Sequence, residues 1–141
     1  MDSSVTKILN EIKILDFTNH YSGDITSMFL SDFGADVSKL VNKNVSTFKK
    51  NAFWNRNKKL LNYSDLTDLD KSILNTASVV IHDFQIESEE FNNLTKIISD
   101  SNNTNLIVCH ISAFPSNSNL KEELMIDELV VARAGEMRIL P

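Results

Sequence analysis

Residues 14–18 read ILDFT and residues 30–37 read LSDFGADV, and these two stretches, with Gly23 between them, decide the fold. The first stretch is short and mostly apolar, as expected for a buried β-strand. The apolar residues that follow recur at the spacing of one helix face and are Ile25, Met28, Phe29 and Phe33. Gly34 is then predicted to end this helix, and residues 37–41 to form the second strand.

The remainder of the chain continues this alternation of strands and helices. The further predicted strands are residues 60–63, 79–81 and 106–111. The further predicted helices are residues 66–77, a helix capped by Ser88, and residues 120–134. Buried strands that alternate with helices indicate one α/β domain over residues 1–141. We therefore expect a doubly wound, Rossmann-like and mostly parallel sheet with helices on both faces.

The composition narrows the classes of function. The 141 residues carry a net charge of −5, which disfavours nonspecific binding to nucleic acid. The longest apolar runs are far shorter than a membrane span, and residues 1–10 do not read as a signal peptide. With a single cysteine the chain cannot form an internal disulfide, so we expect a cytoplasmic protein. That residue, Cys109, is predicted to be a buried apolar side chain rather than a nucleophile.

Several common kinds of site do not match the sequence. The turn after the first strand lacks the glycine-rich phosphate motif of nicotinamide enzymes, and no Walker-type motif occurs. The three histidines and one cysteine are not spaced as zinc ligands, so no metal site is expected. We also expect that no cofactor is required.

One local cluster of cations does indicate a ligand. Five basic residues lie within the eleven residues 49–59, with Phe53 and Trp54 among them. Lysine and arginine suit phosphate oxygens, and an aromatic face such as that of Trp54 suits an adenine ring. The alternative interpretation is a solvated loop next to an aromatic packing anchor.

Two phrases together make the chain resemble a known family. The opening stretch resembles a family pattern V-L-D-L-T, A-G-P and L-L-A-D-L-G-A-D-V-I-K, and residues 53–61, FWNRNKKLL, resemble F-x-x-L-N-R-N-K-R-S-L. Residues 79–84 also resemble its D-V-L-V-E-N-F strand. The family is that of the class III CoA-transferases, which includes formyl-CoA transferase, carnitine CoA-transferase and α-methylacyl-CoA racemase. The similarity runs from about residue 12 to residue 137.

The resemblance implies that coenzyme A (CoA) is a possible ligand, and it indicates candidate residues for a CoA site. Arg56, Lys58 and Lys59 match the segment that contacts the nucleotide end of CoA in the family. His20 follows the first strand and is a candidate for the polar lining of the same site. The alternative is that His20 is an exposed loop residue without a role in ligand binding. Asp127 matches a catalytic acid/base of the racemase branch. The alternative interpretation is that Asp127 is only a favourable residue at a helix N-terminus. For Asp16 we expect a structural role.

The departures from the family pattern lie in its loops. Asp24 replaces the proline of A-G-P, Gln85 replaces an arginine, and Ala113 and Pro115 replace two glycines. The nucleophilic aspartate of the transferases lies beyond the point that matches Pro141. We therefore expect the domain to be inactive alone.

Three functional hypotheses follow from this comparison. The leading one is a non-catalytic domain for structure, docking or dimerisation, within a larger multidomain synthase. The alternative is the CoA-binding N-terminal half of a CoA-transferase, active only with the remainder or a partner chain. In either case we expect a homodimer or docking to another protein. A third and weaker hypothesis is a racemase-like catalyst that uses Asp127 and a histidine.

Overall fold

The described residues contain five parallel strands, which form one sheet in the order β3-β2-β1-β4-β5. The strands are β1 (Lys13–Asp16), β2 (Asp36–Asn42), β3 (Lys59–Tyr63), β4 (Val79–His82) and β5 (Ile107–His110). The helices are α1 (Tyr21–Asp32), α2 (Ser72–Thr76), α3 (Glu89–Ser99) and α4 (Asp127–Arg133), with a 3₁₀ turn at Leu66–Asp68. This computed structural model describes residues 7–44, 52–115, 117–120 and 127–135.

The sheet has a separate apolar core on each face, because successive side chains of a strand point to opposite sides. Leu15 and Val80 pack with the 3₁₀ turn, α2 and α3 on one face. Ile14 and Ile81 lie on the other face, where Leu30 of α1 packs against them. Helices on both faces of a parallel sheet confirm the predicted doubly wound α/β fold.

Helix α1 ends where the sequence predicts, but it presents a different face to the sheet. Gly34 has a φ of +106°, and the N–H of Ala35 donates to the carbonyl oxygen of Leu30, which closes a Schellman motif. The expectation that Phe29 and Phe33 face the core is wrong, since both side chains are more than half exposed. The side of α1 that packs on the sheet carries Met28, as the spacing predicts, together with the small residues Gly23, Ser27 and Ser31.

Close approach explains this choice of small residues. A β-carbon added at Gly23 would lie only 2.2 Å from the Oγ1 atom of Thr18. The first turn of α1 therefore rests directly on the end of β1, where a larger residue cannot fit.

The helix predicted over residues 66–77 is wrong as a single element, because the chain forms the 3₁₀ turn and then α2. Asp65 accepts a hydrogen bond from the backbone N–H of Thr67 at 2.8 Å, and Asp70 accepts one from Ser72 at 2.9 Å. Such local side-chain bonds compete with a continuous helix. In the part of the chain described here, no helix is long and apolar enough to cross a membrane.

Two other helix predictions have clear outcomes. The Ser88 cap is confirmed, since its Oγ accepts from the N–H of Phe91 at 3.1 Å. Helix α4 lies inside the predicted helix of residues 120–134, whereas residues 121–126 fall outside the described ranges.

Strand β5 is the edge of the described sheet, and its side chains are not buried. Ile107 is 63% exposed, and Cys109 is an exposed free thiol. The prediction of a buried Cys109 is therefore wrong. The physical reason is the position of β5 at the edge of the sheet. Helix α1 packs on β1, β2 and β4, and among the described elements no helix makes an extensive contact with β5.

We expect Gly23→Ala to lower the free energy of unfolding by about 1–3 kcal/mol, because the new methyl group overlaps Thr18. Ser22→Ala is the matched control, since Ser22 is exposed in the same helical turn and its change should stay within about 0.5 kcal/mol. Urea unfolding followed by circular dichroism measures both values. Equal stabilities for the two variants would contradict the close approach.

Candidate functional site

The carboxyl ends of β1 and β4 form the natural ligand position of this sheet. The two strands are neighbours, yet the chain leaves β1 towards α1 on one face and leaves β4 towards α3 on the other. Connections that depart to opposite faces open a crevice above the strand ends, and α/β proteins bind ligands there. We call the crevice above β1 and β4 the switch-point crevice.

His20 and Asp83 meet across this crevice. His20 stands between β1 and α1, and its Nδ1 lies 2.9 Å from Oδ2 of Asp83, the residue directly after β4. The Asp83 side chain is 1% exposed, whereas that of His20 is 50% exposed. Asp83 also accepts hydrogen bonds from the backbone N–H groups of Asn19 and His20, at 2.8–2.9 Å. The carboxylate is thus held by the chain and in turn fixes a half-exposed imidazole.

A buried ion network lies beneath the start of α1. The Nζ of Lys39, on β2, lies 3.1 Å from Oδ1 of Asp16 and 2.6 Å from Oδ1 of Asp24. It also donates to the carbonyl oxygen of Thr18 at 2.6 Å. Ser27 donates to the other carboxylate oxygen of Asp16. The side chains of Asp16 and Lys39 are fully buried, and Asp16 therefore has a structural role.

Lys58 enters the same network from the segment before β3. Its Nζ donates to the backbone carbonyl of Asp24 at 2.9 Å and lies 3.6 Å from Oδ2 of Asp16. Burial lowers the pKa of Lys58. The negative charge of Asp16 partly opposes this shift, whereas the positive charge of Lys39 adds to it. With no exposed side-chain surface, Lys58 acts here as an internal anchor. Its predicted contact with CoA phosphate stays a prediction.

The other two predicted cations lie at the opposite end of α1. Arg56 pairs with Asp32, the last residue of α1, at 2.5 Å between Nη2 and Oδ2. The Arg56 guanidinium beside Asp32 holds the pKa of that carboxyl below its usual range. Lys59 pairs at 2.7 Å with Asp36, the first residue of β2. Both pairs are partly exposed and lie away from the switch-point crevice.

Trp54 lies in the same region as Arg56, next to Phe53. Its ring makes an edge contact with Phe53, at 4.9 Å between centroids, and the Arg56 guanidinium lies 4.5 Å from the Phe53 ring centre. The structure thus groups Trp54 with Arg56, and it groups His20 with Asp83 elsewhere. The candidate CoA residues do not form one cluster. A CoA site that uses them all would have to extend along α1.

Asp127 is the first described residue of α4, and residues 121–126 directly before it lie outside the described ranges. An acid/base role for Asp127 stays a prediction.

A pair of stacked histidines lies at the ends of β4 and β5. The rings of His82 and His110 are nearly parallel, with centroids 4.7 Å apart. His110 Nε2 lies 3.1 Å from the carbonyl oxygen of Phe84. His82 is buried, and its Nδ1 has no hydrogen-bond partner among the described residues. Burial, and secondarily the neighbouring His110, lower the pKa of His82 to about 4.

The neighbouring end of β2 and β3 is poorly suited to phosphate. A cavity of about 170 Å³ there is lined by Asp65, Glu89 and Glu90 among others. Tyr63 also lines this cavity, and burial, with the nearby Glu90 and Asp83 charges, raises its pKa to about 12. An anion would meet three carboxylates in this cavity. A larger cavity of about 360 Å³ beside it is lined by Lys43 but also by Asp68 and Asp70.

Sequence reasoning missed Lys39 and Asp83 as contributors to the site. Lys39 stands between Ser38 and Leu40 in a strand that is otherwise buried, and by alternation it shares the inward face of Val37 and Val41. A lysine at an inward-facing position of a largely apolar strand was therefore the sequence feature that could have predicted a buried cation. Asp83 was recognisable only as a polar residue at a strand end, because its pairing with His20 spans 63 positions of sequence.

The order and direction of the strands define a doubly wound, parallel α/β domain. A sequence model of CoA-transferase family III matches residues 9–140. The chain therefore belongs to this family, which confirms the resemblance in its sequence.

Solved structures support the same assignment. The chain is similar to Rv3272 from Mycobacterium tuberculosis, with a TM-score of 0.77 and 26% identity, over 96% of this chain and 41% of that one. A CAIB/BAIF family protein from Brucella suis shares the fold, with a TM-score of 0.72 and 21% identity, over 92% of this chain and 39% of that one. The chain thus spans about two fifths of the length of these structures. A comparison with curated proteins gave no match.

Removal of the central cation should strongly destabilise the fold. We expect Lys39→Met to lower the free energy of unfolding by about 3–5 kcal/mol, because it leaves the buried Asp16 and Asp24 carboxylates with an uncompensated charge. Lys71→Met is the matched control. Lys71 forms an exposed pair with Asp100, and its loss should cost less than about 1 kcal/mol. Denaturant titration of both variants tests this, and similar losses would contradict the importance of burial.

The stability of the domain should fall on acidification because of His82. Its pKa is about 4 in the fold against an ordinary value of 6.5, so the unfolded chain binds more protons between these pH values. The stabilisation is complete above pH 6.5 and is lost as the pH falls to about 4, by about 3 kcal/mol in total. In His82→Phe we expect this part of the pH dependence to disappear. Urea unfolding at several pH values measures it, and an unchanged slope would rule out His82 as the cause.

Proposed function

We propose that this chain is a CoA-thioester-binding domain of CoA-transferase family III. The thioester end of the ligand lies in the switch-point crevice, and the group transfer of the family needs further polypeptide. The observation that carries this proposal is the His20–Asp83 pair at the point where a parallel α/β sheet offers a ligand position.

The nucleotide end of CoA is assigned to the exposed surface around Arg56. The Arg56–Asp32 pair is partly exposed, and such pairs contribute little stability, so a phosphate group can replace the carboxylate. Phe53 and Trp54 offer aromatic surface beside the guanidinium. CoA is a long ligand in which the pantetheine arm separates the nucleotide from the thioester. Its two ends can therefore occupy positions at opposite ends of α1, a helix about 18 Å long.

A non-catalytic docking or dimerisation role, for example within a multidomain synthase, is the second candidate function. Two observations favour it: Lys58 and Lys59 already bind carboxylates of the chain itself, and large apolar side chains are exposed on α1 and β5. Extended apolar surface of this kind often marks an interface. On either proposal we place the protein in the cytoplasm and expect self-association or a protein partner.

Calorimetric titration with CoA separates the two proposals. We expect micromolar affinity for the wild-type chain and a loss of about 10-fold or more in Arg56→Ala, because a charge-assisted hydrogen bond to phosphate is removed. Lys71→Ala is the matched control and should bind as the wild type does. Lys58 is unsuitable for this test, since its replacement disturbs the buried network.

Failure of the folded wild-type chain to bind millimolar CoA would overturn the proposed function and leave the docking role. Equal affinities of the Arg56 and Lys71 variants would overturn the assigned nucleotide position alone. Sedimentation of the same samples reports self-association independently of CoA.

A further inference from the structure

The His20–Asp83 pair contains more than the fold requires. The backbone N–H groups of Asn19 and His20 both donate to Asp83, and these bonds tie the start of α1 to the end of β4. Any residue at positions 19 and 20 would supply them. The bond from the imidazole at 2.9 Å depends on histidine alone, so packing and chain connection do not account for it.

The geometry of the pair determines which ring nitrogen is basic. A carboxylate oxygen accepts hydrogen bonds and does not donate, so the neutral His20 ring carries its proton on Nδ1, next to Asp83. Its lone pair then lies on Nε2. The buried carboxylate also stabilises the imidazolium that forms when Nε2 takes up a proton. A positioned base of this kind suits proton transfer in the crevice.

We propose that His20 and Asp83 form an acid–base dyad that hydrolyses a CoA thioester, an inference that rests on the proposed function. Nε2 of His20 removes a proton from water while the water oxygen bonds to the thioester carbonyl carbon. The carbon–sulfur bond then breaks with its electron pair on sulfur, and the imidazolium returns the proton to the thiolate. The products are a carboxylic acid and the CoA thiol. His20 is the catalytic residue and Asp83 the positioning residue.

The surroundings of the dyad support this chemistry. Helix α1 has 12 residues and begins directly after His20, so the positive end of its dipole faces the same crevice, where a carbonyl oxygen would gain negative charge. The stacked pair of His82 and His110 is less suited to this role. His82 is buried beneath Phe84 and Phe91 and is in ring contact with His110, whereas half of the His20 side chain is exposed.

The test uses the full chain with two thioesters, acetyl-CoA and S-acetyl-N-acetylcysteamine, of which the second has no nucleotide. Loss of thioester absorbance is the readout, because a thiol reagent would react with the exposed Cys109. We expect His20→Gln to lower the hydrolysis rate by about 10²–10⁴-fold. Lys71→Gln is the control: this exposed residue pairs with Asp100, remote from the crevice, and should leave the rate unchanged.

Asp83→Asn tests the positioning role through the pH–rate profile. With its NH₂ group in place of Oδ2, the amide donates to Nδ1 and moves the ring proton to Nε2, and the backbone N–H of His20 loses its acceptor. The amide oxygen, in place of Oδ1, still accepts from the backbone N–H of Asn19. We therefore expect a lower rate and an altered dependence of that rate on pH, a change that a purely structural role would not produce. His20→Gln leaves the Asp83 carboxylate and its backbone bonds in place, so the main test does not depend on folding of the Asp83 variant.

The outcomes distinguish this inference from the proposed function. Hydrolysis of neither thioester, or equal rates for wild type and His20→Gln, overturns the dyad. CoA binding without hydrolysis overturns the dyad but keeps the proposed function. Hydrolysis of the short thioester without any CoA binding keeps the dyad chemistry and overturns its assignment to CoA.

Discussion

The buried contact between Lys39 and the carboxylates of Asp16 and Asp24 is the constraint on which the carboxyl edge of this sheet depends. It joins β1, β2 and the first turn of α1, and Lys58 extends it to the segment before β3. Charges removed from water are tolerated only where their partners are complete. Here two ammonium groups and two carboxylates balance one another, so these four parts of the chain must assemble together. The position of His20 follows from that assembly, since it lies between two of the joined elements.

The sequence predicted those features that depend on local pattern. The strands, the end of α1 at Gly34 and the Ser88 cap each follow from a few neighbouring residues, and the structure has them. The inward face of α1 was not predictable by the same means. Apolar spacing favoured Phe29 and Phe33, whereas the close approach of Gly23 to Thr18 turns the small residues inward. Exposure of Cys109 likewise depends on the place of β5 in the sheet, which an apolar run does not encode.

In the candidate site, too, the sequence predicted the local segments but not the contacts between distant residues. The family resemblance located the segment that contains Arg56 and Lys58, but it could not show that one side chain points outward and the other into the ion network. Two departures from the family pattern also have a structural explanation. Asp24, which replaces a proline, binds Lys39, and Asp83, at the asparagine position of the E-N-F phrase, binds His20. These loops therefore carry new polar partners, and the loss of family residues alone is not evidence that the site has lost its chemistry.

The segment before β3 and the first residue of that strand are attached by two kinds of ion pair, which respond differently to ionic strength. Arg56–Asp32 and Lys59–Asp36 are partly exposed, so dissolved salt screens them, whereas the fully buried Lys58 ammonium is shielded from mobile ions. In concentrated salt the outer part of the segment should loosen while its inner anchor stays in place. The guanidinium of Arg56 would then be released from Asp32 without unfolding of the sheet. The same segment thus combines a permanent attachment with a cation whose availability depends on the surrounding electrolyte.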